Sequence, residues 1–174
     1  MQSPGAPLEI NTVTIGDNGG AVGMCCCPGR LEQFSDGAHR QRDLAEDLAM
    51  VSDWQPDLVV SLVELHEFEF LGVAQLPEKF KTQFRWQHHP VRDLGAPADA
   101  AQKDSVLAQW FSSVCRGERI LLHCAAGLGR TGTVAARLLM MSGQDADSAI
   151  KSVRAARSGT IESVTQERFL RQPG

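Results

Sequence analysis

Arg119-Ile120-Leu121-Leu122-His123-Cys124-Ala125-Ala126-Gly127-Leu128-Gly129-Arg130-Thr131 runs from a short apolar, β-type segment through a turn with two glycines into the start of a helix. A buried strand delivered through a tight turn straight into a helix belongs to an α/β sheet rather than to a bundle or an all-β sandwich. The turn itself is built for an anion. Successive backbone N–H groups between Cys124 and Arg130 can curl into a nest, and the helix behind them adds the positive end of its dipole. Gly127 and Gly129 allow backbone conformations that other residues resist. Ala125, Ala126, Gly127, Leu128, Gly129 and Arg130 are therefore the expected binding residues for a tetrahedral oxyanion. Arg130 can place two parallel N–H bonds on two of its oxygens, a geometry that the point charge of lysine does not reproduce.

Outward from this turn the chain alternates strands and helices. Leu8 to Ile15 reads as a strand ending at the Gly16-Asp17-Asn18-Gly19-Gly20 turn, and Val22 to Cys27 as the buried strand that pairs with it. Leu44, Leu48, Met50 and Val51 recur at helical spacing, predicting a helix over 38–54 with Ser35 and Asp36 as N-cap candidates. Leu58 to Val63 is a continuous apolar run suited to a strand covered on both faces. A short helix over 77–84, a strand over 85–91 and a helix over 98–115 lead to the strand Arg119 to His123. Three further helices are expected, over 131–141, 145–157 and 163–170. The fold class is α/β: a central, mostly parallel sheet flanked by helices, with the anion-binding loop between a central strand and a helix.

Composition sets the outer bounds. The chain has 174 residues, 43% hydrophobic and 22% charged, which suits a single domain over 1–174 with a sizeable core. The net charge of −4 provides no basic field for nucleic acid or an anionic membrane surface. That charge is unevenly spread. Residues 1–115 hold 8 basic and 16 acidic residues, whereas residues 116–174 hold 9 and 5, a local excess of +4 around the loop. No apolar run is long enough to span a bilayer and the N-terminus has no signal-peptide pattern, so a cytoplasmic protein is expected. The five cysteines form no metal-spaced pair, and the Cys25-Cys26-Cys27 triplet reads as part of a buried strand rather than as a disulfide framework or zinc site. The oligomeric state stays open.

The chemistry gathers at the loop. The field that holds an anion is expected to stabilise a Cys124 thiolate, and the Thr131 hydroxyl lies close enough in sequence to support that sulfur as a leaving group. His123 has two readings, as a structural hydrogen-bonding residue or as a modifier of the cysteine. HCAAGLGRT fits the HCxxGxxR[ST] signature, and on it the chain resembles the cysteine-dependent protein tyrosine and dual-specificity phosphatases. Over about residues 20 to 170, CCCPGR, WQHHPVRDLGAP and ARSGTIESVTQERFL are similar to the kinase-associated, cyclin-dependent-kinase-inhibitor type of this family. The resemblance implies phosphoryl transfer to Cys124, a phosphocysteine and no cofactor or metal. Its substrate would be a phosphorylated protein or peptide.

Expulsion of an alkoxide or phenoxide needs a general acid. Asp93 is the candidate. It lies 31 residues before Cys124, in a loop shaped by Gly95 and Pro97, where the resembled family places its acid. The alternative is an Asp93 that caps a turn or pairs with Arg92. Asp99 and Asp104 read better as helix N-cap and first-turn acid. In some relatives a glutamine at the place of Gln166 orients the hydrolytic water, although a solvent-facing helical glutamine is the expectation here. Glu64 and Glu67 are expected on a solvated helix face rather than against substrate. His88 and His89 alternate along a strand without a third metal ligand. Lys151, Arg154 and Arg157 form either a basic rim or a solvated face. The chain lacks tyrosine, so the ring that many phosphotyrosine-specific relatives stack on substrate is missing, which favours dual specificity. A phosphoinositide phosphatase and a phosphate-binding pseudoenzyme are the alternatives. The first is weakened by the absence of lysine from the loop, the second by the presence of Cys124, Arg130 and Asp93 together.

Overall fold

The three most continuous apolar runs become neighbouring strands at the middle of one sheet. A computed structural model describes residues 5–97 and 100–172. In chain order the elements are β1 (Asn11–Ile15), β2 (Gly20–Cys25), β3 (Leu31–Gln33), β4 (His39–Gln41), α1 (Leu44–Trp54), β5 (Leu58–Ser61), α2 (Leu65–Phe70) and α3 (Leu76–Gln83). They continue with β6 (Trp86–His88), α4 (Ala100–Cys115), β7 (Arg119–His123), α5 (Gly129–Met141), α6 (Ala146–Ala156) and α7 (Val164–Arg171). The main sheet has the order β1-β2-β7-β5-β6, with β1 antiparallel to β2 and every other pairing parallel. This is the mostly parallel, helix-flanked sheet that the sequence predicts.

β2 and β5 are buried along their whole length because helices cover both faces. Two glycines of β2 show it. A Cβ at Gly20 would lie 1.9 Å from the Val114 carbonyl oxygen on α4, whereas one at Gly23 would lie 2.7 Å from the Trp54 ring on α1. Positions an odd number apart on a strand point to opposite faces, so α4 and α1 lie on opposite sides. The absent side chains at Gly20 and Gly23 are what let both helices approach. No helix among the described residues is long and apolar enough to cross a membrane.

Register brings the parallel strands to a common level. His123 is opposite Cys25 on one side and Ser61 on the other, and Ser61 is opposite His88. Four carboxyl ends thus meet at one edge, the place where open α/β sheets build their sites.

Local departures from the sequence reading have local causes. The helix expected over 38–54 begins only at Leu44, because His39–Gln41 is drawn into an antiparallel hairpin with Leu31–Gln33. Ser35 and Asp36 lie in the hairpin turn, where Asp36 accepts the Ala38 N–H, and Asp43 caps the helix by accepting the Glu46 N–H at 2.9 Å. Strand β2 ends at Cys25, two residues earlier than expected, but all three cysteines of the triplet are buried. Strands β1, β5 and β6 are shorter than the runs that predict them.

One buried ion pair fastens the hairpin region to α1. Asp47 accepts Arg42 Nε at 2.8 Å, Arg42 Nη2 at 2.9 Å and the Gly29 N–H at 2.8 Å. Removing one partner leaves the other charge buried. Asp47→Ala is expected to lower unfolding stability by about 3 kcal/mol, read as an earlier urea midpoint; a midpoint equal to the wild type's would show that the pair is dispensable.

Candidate active site

The loop after β7 is shaped by close backbone approach. Gly127 has φ 72°, and a Cβ there would lie 2.2 Å from the Cys25 carbonyl oxygen, so glycine is required for both conformation and space. Among the described residues, none of the amide N–H groups from Ala125 to Arg130 has a protein acceptor. Cys124 is buried at the start of this turn. Two side-chain atoms beside it, Arg130 Nε and Thr131 Oγ1, are also buried without a partner. Most buried polar groups in folded proteins have a hydrogen-bond partner, so this cluster of open donors sets the loop apart. Together they are hydrogen-bond donors without a protein acceptor, gathered in the turn that Cys124 opens.

Arg130 is held from behind. Its Nη1 and Nη2 donate to the two oxygens of Glu67 at 2.7 and 2.9 Å, and Nη1 also donates to the Val91 carbonyl at 3.0 Å. Glu67 additionally accepts the Glu64 N–H at 2.7 Å. Burial alone would raise the Glu67 carboxyl, but the hydrogen bonds from Arg130 and from the Glu64 amide bring it below the usual carboxylate range. Glu67 is thus the ion-pair partner of Arg130 rather than part of a solvated helix face. The signal for it lay in its position, one helical turn into the segment that leaves a central parallel strand.

Asp93 stands on the solvent side of the same guanidinium, 3.4 Å from Arg130 Nη2, with its side chain 68% exposed. It also accepts the Leu94 N–H at 2.9 Å, and Leu94 adopts a left-handed φ of 58°. The turn role weighed against catalysis is therefore real, but the ion pair is with Arg130, and among the described residues none is formed with Arg92. Asp99 lies outside the described residues, and Asp104 is exposed on α4.

Gln166 corrects the expectation of a solvent-facing glutamine. It is fully buried: Oε1 accepts the Glu162 and Ser163 N–H groups at 2.8 and 3.1 Å, and Nε2 donates to the Gly95 carbonyl at 3.1 Å. Ser163 Oγ donates to the Leu94 carbonyl at 2.6 Å. The start of α7 thus tethers the loop that bears Asp93. Sequence reasoning missed Ser163 as a tether because the Leu94 carbonyl it reaches lies 69 residues away in the chain; the same hydroxyl caps α7 by accepting the Gln166 N–H.

The two readings of His123 are resolved by its neighbours. Nδ1 faces the Cys124 carbonyl at 3.1 Å, which only accepts, so Nδ1 carries the proton. Nε2 lies 2.5 Å from Ser61 Oγ, which itself accepts from Trp86 Nε1 at 2.9 Å and so donates to the ring. Burial drives the imidazole down to about 4 against the opposing pull of the Cys124 carbonyl bond. His123 is a neutral structural strut. His88 is engaged with the Val63 carbonyl at 2.7 Å and His89 packs edge-on against Trp110. Of Lys151, Arg154 and Arg157, the first is exposed. Arg154 binds the Thr160 and Ile161 carbonyls, and Arg157 reaches the loop itself. They do not form one rim.

A parallel α/β sheet whose central strand opens into a Cys-x5-Arg anion loop defines a cysteine-dependent phosphatase of the dual-specificity type. Residues 27–170 match the family model described as PTP-SAK, Swiss Army Knife protein, DSP-PTPase phosphatase domain, and the chain belongs to this family. Cyclin-dependent kinase inhibitor 3 from Homo sapiens is 34% identical over 154 residues, covering 87% of this chain and 70% of the relative. Among solved structures, the kinase-associated phosphatase with serine in place of its catalytic-site cysteine superposes with a TM-score of 0.81 at 24% identity, covering 95% of this chain and 93% of that one. The active form of Tk-PTP gives 0.63 at 29% identity, covering 86% and 88%.

The buried histidine has a measurable consequence. With its folded value at about 4, below the ordinary value of about 6.5, His123 contributes no penalty above pH 6.5. Stability is then lost as pH falls towards 4, because the unfolded chain takes up a proton that the folded chain refuses. His123→Gln, which cannot titrate, should flatten the stability curve in that window by on the order of 3 kcal/mol in thermal or urea melts; parallel curves for the two proteins would contradict the assignment.

Proposed function

We propose that the chain hydrolyses phosphotyrosine, and phosphoserine or phosphothreonine, in phosphorylated protein substrates through a phosphocysteine at Cys124. The observation that carries this reading is the unpaired donor set around Cys124: the amides from Ala125 to Arg130, Arg130 Nε and Thr131 Oγ1. Cysteine is also the residue type that the kinase-associated phosphatase uses at its catalytic site.

In the first step the Cys124 thiolate attacks phosphorus in line, and the bond to the leaving oxygen breaks as Asp93 delivers a proton to it. The dephosphorylated hydroxyl departs and the phosphoryl group stays on sulfur. In the second step Asp93, now ionised, takes a proton from water as the water oxygen attacks phosphorus. Inorganic phosphate leaves and the thiolate returns, with the Thr131 hydroxyl supporting the departing sulfur. The amides of Ala125, Ala126, Gly127, Leu128, Gly129 and Arg130, with the Arg130 guanidinium, stabilise the equatorial oxygens in both steps. Pre-pairing with Glu67 fixes the orientation of Arg130 before substrate arrives, which lowers the ordering cost of binding. In this mechanism residues 1–174 act as one catalytic unit. The apolar side chains of Ala125, Ala126 and Leu128 give the loop no additional cation for a multiply phosphorylated headgroup, which favours protein over phosphoinositide substrates.

Two variants test the mechanism. Cys124→Ser should abolish hydrolysis of p-nitrophenyl phosphate, and undiminished turnover would sink the proposal. Asp93→Ala should lower kcat by about 10² to 10⁴, with a greater loss for phosphoserine peptides than for aryl phosphates, whose leaving groups need less protonation. A loss equal for all leaving groups would place the acid elsewhere. Phosphopeptides and phosphoinositides assayed side by side should show preference for the peptides.

A further inference from the structure

The loop amides can face a phosphate only if the loop carbonyls face away from it, since C=O and N–H point in opposite directions across a trans peptide. Carbonyls turned outward still need donors. Two arginines from distant parts of the chain supply them. Arg157, the C-cap residue of α6, donates Nε to the Gly127 carbonyl at 2.8 Å and Nη2 to the Ala126 carbonyl at 3.1 Å. Arg30, in the segment after β2, donates Nη1 to the Ala125 carbonyl at 2.9 Å, and the Cys27 N–H reaches the same oxygen at 3.0 Å. The third arm of Arg157, Nη1, is braced by Asn11 Oδ1 at 2.7 Å, across the sheet edge on β1.

Three consecutive peptide planes are therefore fixed from outside. The planes that carry the Ala125, Ala126 and Gly127 carbonyls are those that carry the Ala126, Gly127 and Leu128 N–H groups. At Gly127, with φ 72° and no side chain, the backbone is otherwise free to rotate a plane and turn a carbonyl towards the anion. A carbonyl pointing inward would repel a phosphate that an amide attracts. A single planar guanidinium bridging two successive carbonyls opposes that rotation in a way that an ammonium does not.

We infer that Arg157, assisted by Arg30, is a positioning residue for phosphate recognition: it sets the direction of the loop amides without touching substrate. The inference rests on the phosphatase reading above and concerns what prepares that site. Arg157 and Arg30 also line, with Cys26, Ala126 and Leu128, a cleft of about 320 Å³ that gives solvent access to the outer side of the loop. Free guanidinium can enter such a space once the arginine is shortened.

Steady-state kinetics with p-nitrophenyl phosphate and inhibition by vanadate test the inference. Arg157→Ala should raise KM and the vanadate inhibition constant by about tenfold or more, with a smaller change in kcat. Arg157→Lys, which keeps the charge but loses the fork, should still weaken vanadate. Guanidinium ion at sub-denaturing concentration should restore vanadate affinity to Arg157→Ala and leave the wild type and Arg157→Lys unchanged, a response that lost folding alone does not produce. Should Arg157→Ala fail to fold, Asn11→Ala removes the brace alone and should raise the vanadate constant about threefold. KM and vanadate values within about twofold of wild type in Arg157→Ala, or in Asn11→Ala where it stands in, would overturn the inference. So would loss of activity without guanidinium rescue. A wild-type protein that neither turns over the substrate nor binds vanadate would remove the phosphatase reading itself, whereas a wild type that does both, beside variants that match it, removes only the role of Arg157.

Discussion

Placing the Arg130 guanidinium in the interior would cost several kcal/mol if it stood alone, and Glu67 meets it with two carboxylate oxygens at 2.7 and 2.9 Å. The pair joins separate pieces of chain. Glu67 is carried by α2 after β5, Val91 and Asp93 lie beyond β6, and Arg130 begins α5 after β7. Each segment leaves the carboxyl end of a parallel strand, and the common register of those strands makes their meeting possible. One cation thus ties together the segments that follow three parallel strands.

The same economy is seen around the loop. Its outward carbonyls are occupied by Arg30 and Arg157, its amides from Ala125 to Arg130 have no protein acceptor among the described residues, and His123 beneath it is neutral and bonded at both ring nitrogens. The loop that bears Asp93 receives comparable support from α7, where Ser163 and Gln166 hold the Leu94 and Gly95 carbonyls. A left-handed Leu94 next to Asp93 is kept in place by these tethers.

Much of this is legible in the residues, and the limits have physical reasons. Cys124, Gly127 and Arg130 are visible because their spacing is local: strand, nest and helix follow each other without interruption. The sheet is visible because Leu58 to Val63 is apolar except at Ser61, and Arg119 to His123 is apolar across Ile120, Leu121 and Leu122, as strands covered on two faces tend to be. Glu67 and Gln166 are misread because composition places charged and amide side chains outside, and only the tertiary partner, Arg130 or the Gly95 carbonyl, makes their burial favourable. Arg157 lies 30 residues from the carbonyl it holds, and Arg30 lies 95 from its own. No periodicity reports such pairings. The helix start at Leu44 is missed for the converse reason: a hairpin between Leu31–Gln33 and His39–Gln41 outweighs the local helical pattern.

Transfer of phosphate to the Cys124 sulfur is the central step proposed for this site. Acid-quenched enzyme in turnover with a phosphorylated substrate, examined by intact-mass and peptide-mapping mass spectrometry, tests this most directly. A single phosphoryl adduct on Cys124, accumulating further in Asp93→Ala with an aryl phosphate of low leaving-group basicity, is the expected result. Turnover at full rate with no adduct, or with the phosphoryl group on another residue, would contradict it.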